Sequence, residues 1–243
     1  MSPSSAKGSV LVTGASSGIG AAIAVELARQ GYAVGCASRR GTVPQGEGLL
    51  IPMPLDVTDS DAVAGAVDEL VASAGRLAGL VHAAGRYSDA PASSIGMDEV
   101  RSVFETNLFS AIRIAQVAYP HLRPAGGFVV FIGSMYAQLG VKGAIAYSAS
   151  KAALASVCHT LAVEWARDGI SVLNIAPGWV ETGFNDELLA DEEQRGRVTR
   201  RIPMARVGRP DEIGRLVAAV VTADCSFLTG ETIDVNGGHR IRL

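Results

Sequence analysis

The feature that most limits the folds open to this chain is its alternation of short β-branched runs with helical stretches from one end to the other. Ser9-Val10-Leu11-Val12 enters a glycine-rich turn, Thr13 to Gly20. Apolar residues Ile23, Leu27 and Ala28 then recur at helical spacing until Gly31. Further strands are predicted at Tyr32–Ala37, Leu50–Leu55, Leu80–Ala84, Gly127–Gly133, Ile170–Ala176 and Thr232–Val235. Helices are predicted at Ser60–Ala74, Asp98–Leu122 and Tyr147–Asp168, and Pro210, a favourable first helical residue, opens one that runs to Val221. Strands that alternate with helices imply right-handed crossovers and a parallel sheet covered on both faces. The expected class is therefore α/β, a doubly wound parallel sheet of about seven strands. With 243 residues and no linker, repeat or low-complexity tract, residues 1–243 are expected to form a single domain.

Composition closes off several other classes. The chain is 48% hydrophobic and 19% charged, which is neither disordered nor fibrous. Charges or glycines interrupt every apolar run before it is long enough to cross a bilayer, so no membrane partner is expected. The opening MSPSSAKGSV lacks the apolar stretch of a signal peptide. A net charge of −3 argues against nucleic acid as a partner. Cys36, Cys158 and Cys225 are odd in number and far apart, and read as reduced core thiols of a cytoplasmic protein. His82 and His159 show no metal-ligand spacing and read as structural, so no metal site is expected.

Two stretches carry chemistry. Strand, glycine turn and helix form the context in which backbone N–H groups and a helix dipole face a phosphate. The spacing here is G-x-x-x-G-x-G, over Gly14, Gly18 and Gly20. The second stretch runs from the strand at Gly127 through Ser134 to Lys151. Tyr147 and Lys151 stand four residues apart and so share a helix face. An ammonium beside a phenol favours the phenolate and brings its pKa down from about 10 toward the working range. Ser134, just past an apolar strand, offers a hydroxyl to the same substrate oxygen.

Taken together, these residues resemble the short-chain dehydrogenase/reductase family, and the resemblance spans Val10 to Gly238. It rests on T-G-x-x-x-G-x-G at Thr13–Gly20, Asp56 after the third strand, Ala83-Ala84-Gly85 after the fourth, and Asn107. It continues through Ser134, Tyr147-x-x-x-Lys151, Pro177-Gly178 and Asn236-Gly237-Gly238. His82 departs from the asparagine common at that position. The resemblance implies a Rossmann-type fold and a nicotinamide-dependent oxidoreductase. In it, Tyr147 is the general acid/base and Lys151 tunes it and holds the nicotinamide ribose. Ser134 orients the carbonyl, and Asn107 distorts its helix and holds a relay water. For the cofactor, the resemblance implies Gly14, Ser16, Ser17, Gly18, Ile19 and Gly20 at the phosphates. It implies Asp56 and Val57 at the adenine and Ala83, Ala84 and Gly85 along the cleft. Pro177, Gly178, Val180 and Thr182 fall at the nicotinamide.

Where NAD-preferring relatives commonly place an aspartate, this chain has Ser38, followed by Arg39 and Arg40. A hydroxyl and a guanidinium suit a 2′-phosphate, so NADP(H) is favoured, with NAD(H) the alternative. The expected substrate is a small carbonyl compound or secondary alcohol. A 3-oxoacyl thioester is the nearest-looking class, and a sugar, steroid or cyclic alcohol is the alternative. A non-catalytic cofactor-sensing or scaffold protein is the competing class, and the intact Ser134, Tyr147 and Lys151 speak against it. At the positions of Ala125 and Asp168, near which carrier-protein reductases tend to have basic residues, this chain is neutral and acidic respectively, which argues against carrier-protein docking. The charged stretch 183–209 is expected to be a substrate lid. Small and apolar residues on the helices after strands four and five (Ala111, Ile114, Ala115, Ala118; Ala152, Ala155, Ala162, Val163), with a C-terminal strap to Leu243, suggest a homo-tetramer, with a dimer as the fallback.

Overall fold

The fold is read from a computed structural model, which describes residues 6–183, 185–223, 225 and 227–241. Seven strands form one parallel sheet in the order β3-β2-β1-β4-β5-β6-β7. They are β1 Ser9–Thr13, β2 Ala33–Ser38, β3 Leu49–Pro54, β4 Leu77–His82, β5 Gly127–Ile132, β6 Ile170–Pro177 and β7 Thr232–Val235. The order reverses between β1 and β4, which opens a crevice above the carboxyl ends of those strands. The helices are α1 Gly18–Arg29, α2 Ser60–Ala74, α3 Met97–Phe104, α4 Ser110–Leu122, α5 Ile145–Trp165, α6 Asp186–Ala190, α7 Glu192–Thr199 and α8 Pro210–Thr222.

Two apolar layers hold the helices to the sheet. Leu11, Leu80, Val129 and Phe131 face one side and pack with Val67 and Leu70 of α2, Ile114 and Leu122 of α4 and Leu154 of α5. The alternate residues Val10, Val12, Val34, Val81 and Val130 face the other side and pack with Ile23 and Leu27 of α1 and Ile213 and Val217 of α8. This two-sided burial is why the strands read as unbroken apolar runs.

Besides shifts of one to three residues at several element ends, the structure adds to or departs from the expectations as follows. The fourth strand ends at His82 rather than Ala84, because Ala83 and Ala84 leave the sheet to pass over Gly14. The helical segment predicted over Asp98–Leu122 is divided by a π turn at Glu105–Phe109, where the Ser110 N–H bonds to the Glu105 carbonyl five residues back; this is the distortion that the resemblance implies at Asn107. Cys225 is exposed, unlike Cys36 and Cys158, whose thiols burial pushes up to about 12. Finally, of the small and apolar residues expected at a subunit contact, Ala111, Ile114, Ala115, Ala118 and Ala162 are buried within this chain's own core, whereas Ala152 and Val163 are exposed, as are Phe109 and Ile145. Arg242 and Leu243 of the expected strap lie outside the described residues, as does Phe184 of the expected lid.

Candidate active site

The crevice is floored by the glycine turn. Gly14 has φ +69°, and a Cβ there would lie 2.8 Å from the Ala84 nitrogen and 2.9 Å from the Ala83 carbonyl. A Cβ on Gly20 would lie 2.3 Å from the Gly14 oxygen, so only glycine lets the turn close on the first turn of α1. Ser17 is the N-cap of α1 without a side-chain capping bond, so the leading N–H groups of that helix are free to face an anion. Thr182, arriving from the end of β6, comes within 3.3 Å of the space a Gly18 side chain would fill. Its N–H donates to Asn185 Oδ1 (3.1 Å), and Asn185 Nδ2 donates to the Val180 carbonyl (2.9 Å).

At the adjacent sheet edge Ser38 ends β2, and its hydroxyl is buried without a hydrogen-bond partner. Arg39 and Arg40 are exposed, and among the described residues neither joins a salt bridge. Asp56 accepts from the Thr58 N–H (2.9 Å) and hydroxyl (2.8 Å), which hold its carboxyl below the usual range, with the nearby Arg39 adding to the effect. Capping of α2 falls to Asp59, not Asp56. This donor set, a partnerless hydroxyl and two guanidinium groups near a glycine cradle, fits a nicotinamide dinucleotide.

Ser134 lies just past β5, and Tyr147 and Lys151 lie in the first two turns of α5. The Ser134 hydroxyl accepts from the Tyr136 N–H (3.1 Å) and is hydrogen-bonded to the Tyr147 phenol. Lys151 is buried, and its ammonium donates to the Ile132 carbonyl (2.7 Å). The expected pairing of this ammonium with the phenol is not what dominates. Burial lifts the Tyr147 phenol above its ordinary value, the Ser134 bond opposes that, and Lys151 Nζ sits 5.8 Å from the ring centre. Burial brings the Lys151 ammonium down to about 8. The space beside Gly85 joins the group, since a Cβ there would be 3.6 Å from Asn107 Oδ1 and 3.8 Å from Lys151 Nζ.

Asn107 sits in the π turn and is fully buried. Its Oδ1 accepts from the Arg86 N–H (2.7 Å), and its Nδ2 donates to the Arg86 carbonyl (3.0 Å) and to Ser150 Oγ (2.9 Å). Ser150 in turn donates to the Tyr147 carbonyl at 2.7 Å. No motif marks Ser150, or the two tyrosines that frame the Tyr147 phenol. Tyr87 and Tyr136 meet the Tyr147 ring edge-on, with centres 5.2 and 6.0 Å away. Burial pushes the Tyr136 phenol up to about 12, so it stays neutral. Both lie in segments without periodicity, where only their aromatic character was visible.

The charged stretch beyond β6 folds on itself. Leu189, Ile202 and Val207 form a small core with Trp179 and Val198, and Val180 pairs with Gly208. Glu181 pairs with Arg195, Glu193 with Arg197 and Glu212 with Arg206, so much of the charge run is a solvated ion-pair surface. Among the described residues no cluster has the makings of a metal site, and no helix is long and apolar enough to cross a membrane.

Known proteins share this arrangement. The family profile described as Enoyl-(Acyl carrier protein) reductase matches residues 14–240. The 3-oxoacyl-[acyl-carrier-protein] reductase MabA of Mycobacterium tuberculosis is 35% identical over 231 residues, 95% of this chain and 92% of the relative. Among solved structures, ligand-free aldohexose dehydrogenase of Thermoplasma acidophilum superposes with a TM-score of 0.90 at 28% identity, covering 98% of this chain and 96% of that one. A gluconate 5-dehydrogenase of Burkholderia cenocepacia in complex with NADP and tartrate gives 0.88 at 26% identity, covering 98% and 97%. With sequence, sheet order and site geometry in agreement, the chain belongs to the short-chain dehydrogenase/reductase family of NAD(P)-dependent oxidoreductases, in its 3-oxoacyl reductase-like branch.

Proposed function

We propose that this protein is an NADP(H)-dependent enzyme that interconverts a carbonyl compound and a secondary alcohol. The observation that carries the reading is the convergence of Ser134, Tyr147, Lys151 and Asn107 on one end of the crevice, with the glycine turn at the other. The bound nicotinamide supplies or accepts the hydride. Ser134 and Tyr147 then hold the substrate oxygen between two hydroxyls, and Tyr147 donates or takes its proton. Lys151 contributes a positive charge that favours the phenolate as that proton leaves. Asn107, through Ser150, fixes the helical turn that carries Tyr147. Gly14, Ser16, Ser17, Gly18, Ile19 and Gly20 cradle the pyrophosphate, Asp56 and Val57 bound the adenine, and Ala83, Ala84 and Gly85 line the cleft. Pro177, Gly178, Val180 and Thr182 bound the nicotinamide end.

Preference for the phosphorylated cofactor rests on Ser38, Arg39 and Arg40. The partnerless Ser38 hydroxyl and the unpaired Arg39 suit a 2′-phosphate. Arg39→Ala should weaken NADPH by about 2 kcal/mol, some thirtyfold, and leave NADH within a factor of three. Titration of each nucleotide by its fluorescence checks this, and equal losses would assign Arg39 to the fold or the adenine.

For the substrate, the name of MabA favours a 3-oxoacyl thioester. One observation favours the second class, a ring alcohol. Tyr87 and Tyr136 are rigid aromatic walls beside the phenol, which suits a flat ring better than a flexible chain. Asp168, which accepts from the Tyr119 hydroxyl (2.7 Å) and lies 3.5 Å from Arg123, puts a carboxylate where carrier-protein reductases tend to have a base. Rates of NADPH oxidation with 3-oxoacyl thioesters, cyclic ketones and oxidised sugars separate the two.

Stretch 183–209 acts as the substrate lid. For assembly we propose a homo-tetramer, because Phe109, Ile145 and Val163 are 46%, 49% and 81% exposed on or beside the helices that follow β4 and β5. Light scattering should give four times the 25.1 kDa chain mass at micromolar concentration; a fully active monomer would refute this. A cytoplasmic location fits the same reading.

A further inference from the structure

We propose that His82 is a positioning residue for the catalytic end of the crevice, tying the strand that leads into the glycine turn to the π turn that presents Asn107. His82 is fully buried at the end of β4, and both ring nitrogens are engaged. Nδ1 lies 3.0 Å from Thr13 Oγ1, and Nε2 lies 3.2 Å from Ser110 Oγ.

The directions of these bonds follow from a count of protons. The Ser110 hydroxyl has one, which it donates to the Thr106 carbonyl at 2.6 Å. At the other contact Ser110 must accept, so the histidine carries its proton on Nε2. Nδ1 is then a bare acceptor, and the Thr13 hydroxyl donates to it. Thr13 Oγ1 itself accepts from the Ala84 N–H at 3.2 Å. The result is one directed chain: Ala84 N–H to Thr13, Thr13 to His82, His82 to Ser110, Ser110 to Thr106.

Where this chain ends gives it a role beyond packing. In a regular helix the Thr106 carbonyl would accept from the Ser110 N–H. Here that N–H goes to Glu105 instead, and the Ser110 side chain takes over the Thr106 carbonyl. Thr106 immediately precedes Asn107, whose amide bridges Arg86 and Ser150 and through Ser150 reaches the Tyr147 backbone. The other end holds Ala84 beside Gly14, where a Cβ on the glycine turn would lie 2.8 Å from the Ala84 nitrogen. His82 therefore sets the spacing between the two halves of the site without touching substrate. Its neighbours demand the neutral ring: burial and the Lys151 charge hold its pKa down to about 3.

This inference rests on the reading of Tyr147 and Asn107 as catalytic machinery, and the test separates the two. In uniformly ¹⁵N-labelled parent protein, His82 should show a neutral ring with Nε2–H and an unprotonated Nδ1 from neutral pH down to pH 5. A ring protonated on Nδ1 would overturn the proposal, whatever the enzyme's activity. His82→Leu should lower kcat by roughly ten- to a hundredfold, because a small misplacement of reacting groups costs that much, while the NADPH dissociation constant moves less than threefold. Ser110→Ala, a milder change should His82→Leu not fold, should lower kcat in the same direction and alter the acid limb of the pH–rate profile. A folded His82→Leu or Ser110→Ala protein with the parent's kcat and pH profile would overturn the role. Failure of the catalytic reading itself would appear instead as full activity in Tyr147→Phe.

Discussion

Replacing Tyr147 by Phe is expected to lower kcat by roughly 10²–10⁴-fold, the range that a positioned general acid contributes. The ring keeps its place between Tyr87 and Tyr136, so the fold, the aromatic frame and NADPH binding should persist. Only the hydroxyl is lost, with its hydrogen bond to Ser134. Because burial holds that phenol above its usual range, the neutral donor dominates at neutral pH and the reductive direction is the one its protonation favours. Circular dichroism and nucleotide titration establish that the variant is folded and loaded. Turnover above a tenth of the parent rate would remove Tyr147 from the role of acid.

Lys151→Met should abolish turnover and, at the same time, make the protein more stable. The two effects share one cause. The Lys151 ammonium is buried with a single bond to the Ile132 carbonyl, and burial lowers its pKa from 10.5 to about 8. Below pH 8 both folded and unfolded chains carry the charge, and the folded state bears the cost of burying it. As pH rises from about 8 to 10.5 the folded chain releases its proton first, and the penalty is relieved. Methionine matches the length of the stem and removes the penalty at every pH. Relief of the buried charge is worth about 3 kcal/mol at pH 7 and loss of the Ile132 hydrogen bond costs about 1, so the net gain should be about 2 kcal/mol, shrinking as the pH rises past 8 toward 10.5. Chemical denaturation at pH 7 and pH 10 measures it. A variant less stable than the parent at pH 7 would show that the charge supports the fold through its bond to Ile132, rather than being carried for chemistry.

Much of this could be read from the sequence where a residue type answers to one backbone or chemical need. Gly14 and Gly20 of the glycine turn are forced by contacts below van der Waals distance, and strands buried on both faces announce themselves as apolar runs. Helix α2 and strand β7 have the predicted bounds, the helix because Asp59 caps it and Gly75 ends it. Apolar spacing over Asp98–Leu122 did not show the π turn, because one extra residue per turn barely disturbs it; only the family resemblance, through Asn107, pointed to a distortion there. Tyr87, Tyr136 and Ser150 were equally hidden, since each acts through a neighbour distant in sequence. The apolar residues of α4 misled for a related reason. Composition shows how much apolar surface a helix has, but not that the sheet beneath covers nearly all of it.

In the proposed reaction this site moves hydride between NADP(H) and a carbonyl carbon while Tyr147 moves the proton. Incubation with NADPH deuterated at the transferring position of the nicotinamide, across a panel of 3-oxoacyl thioesters, cyclic ketones and oxidised sugars, tests it most directly. The expected result is at least one alcohol carrying deuterium on the carbinol carbon, formed in equal amount to NADP⁺ and absent with Tyr147→Phe. Tight binding of NADPH with no oxidation by any member of the panel, or an alcohol without the label, would contradict it.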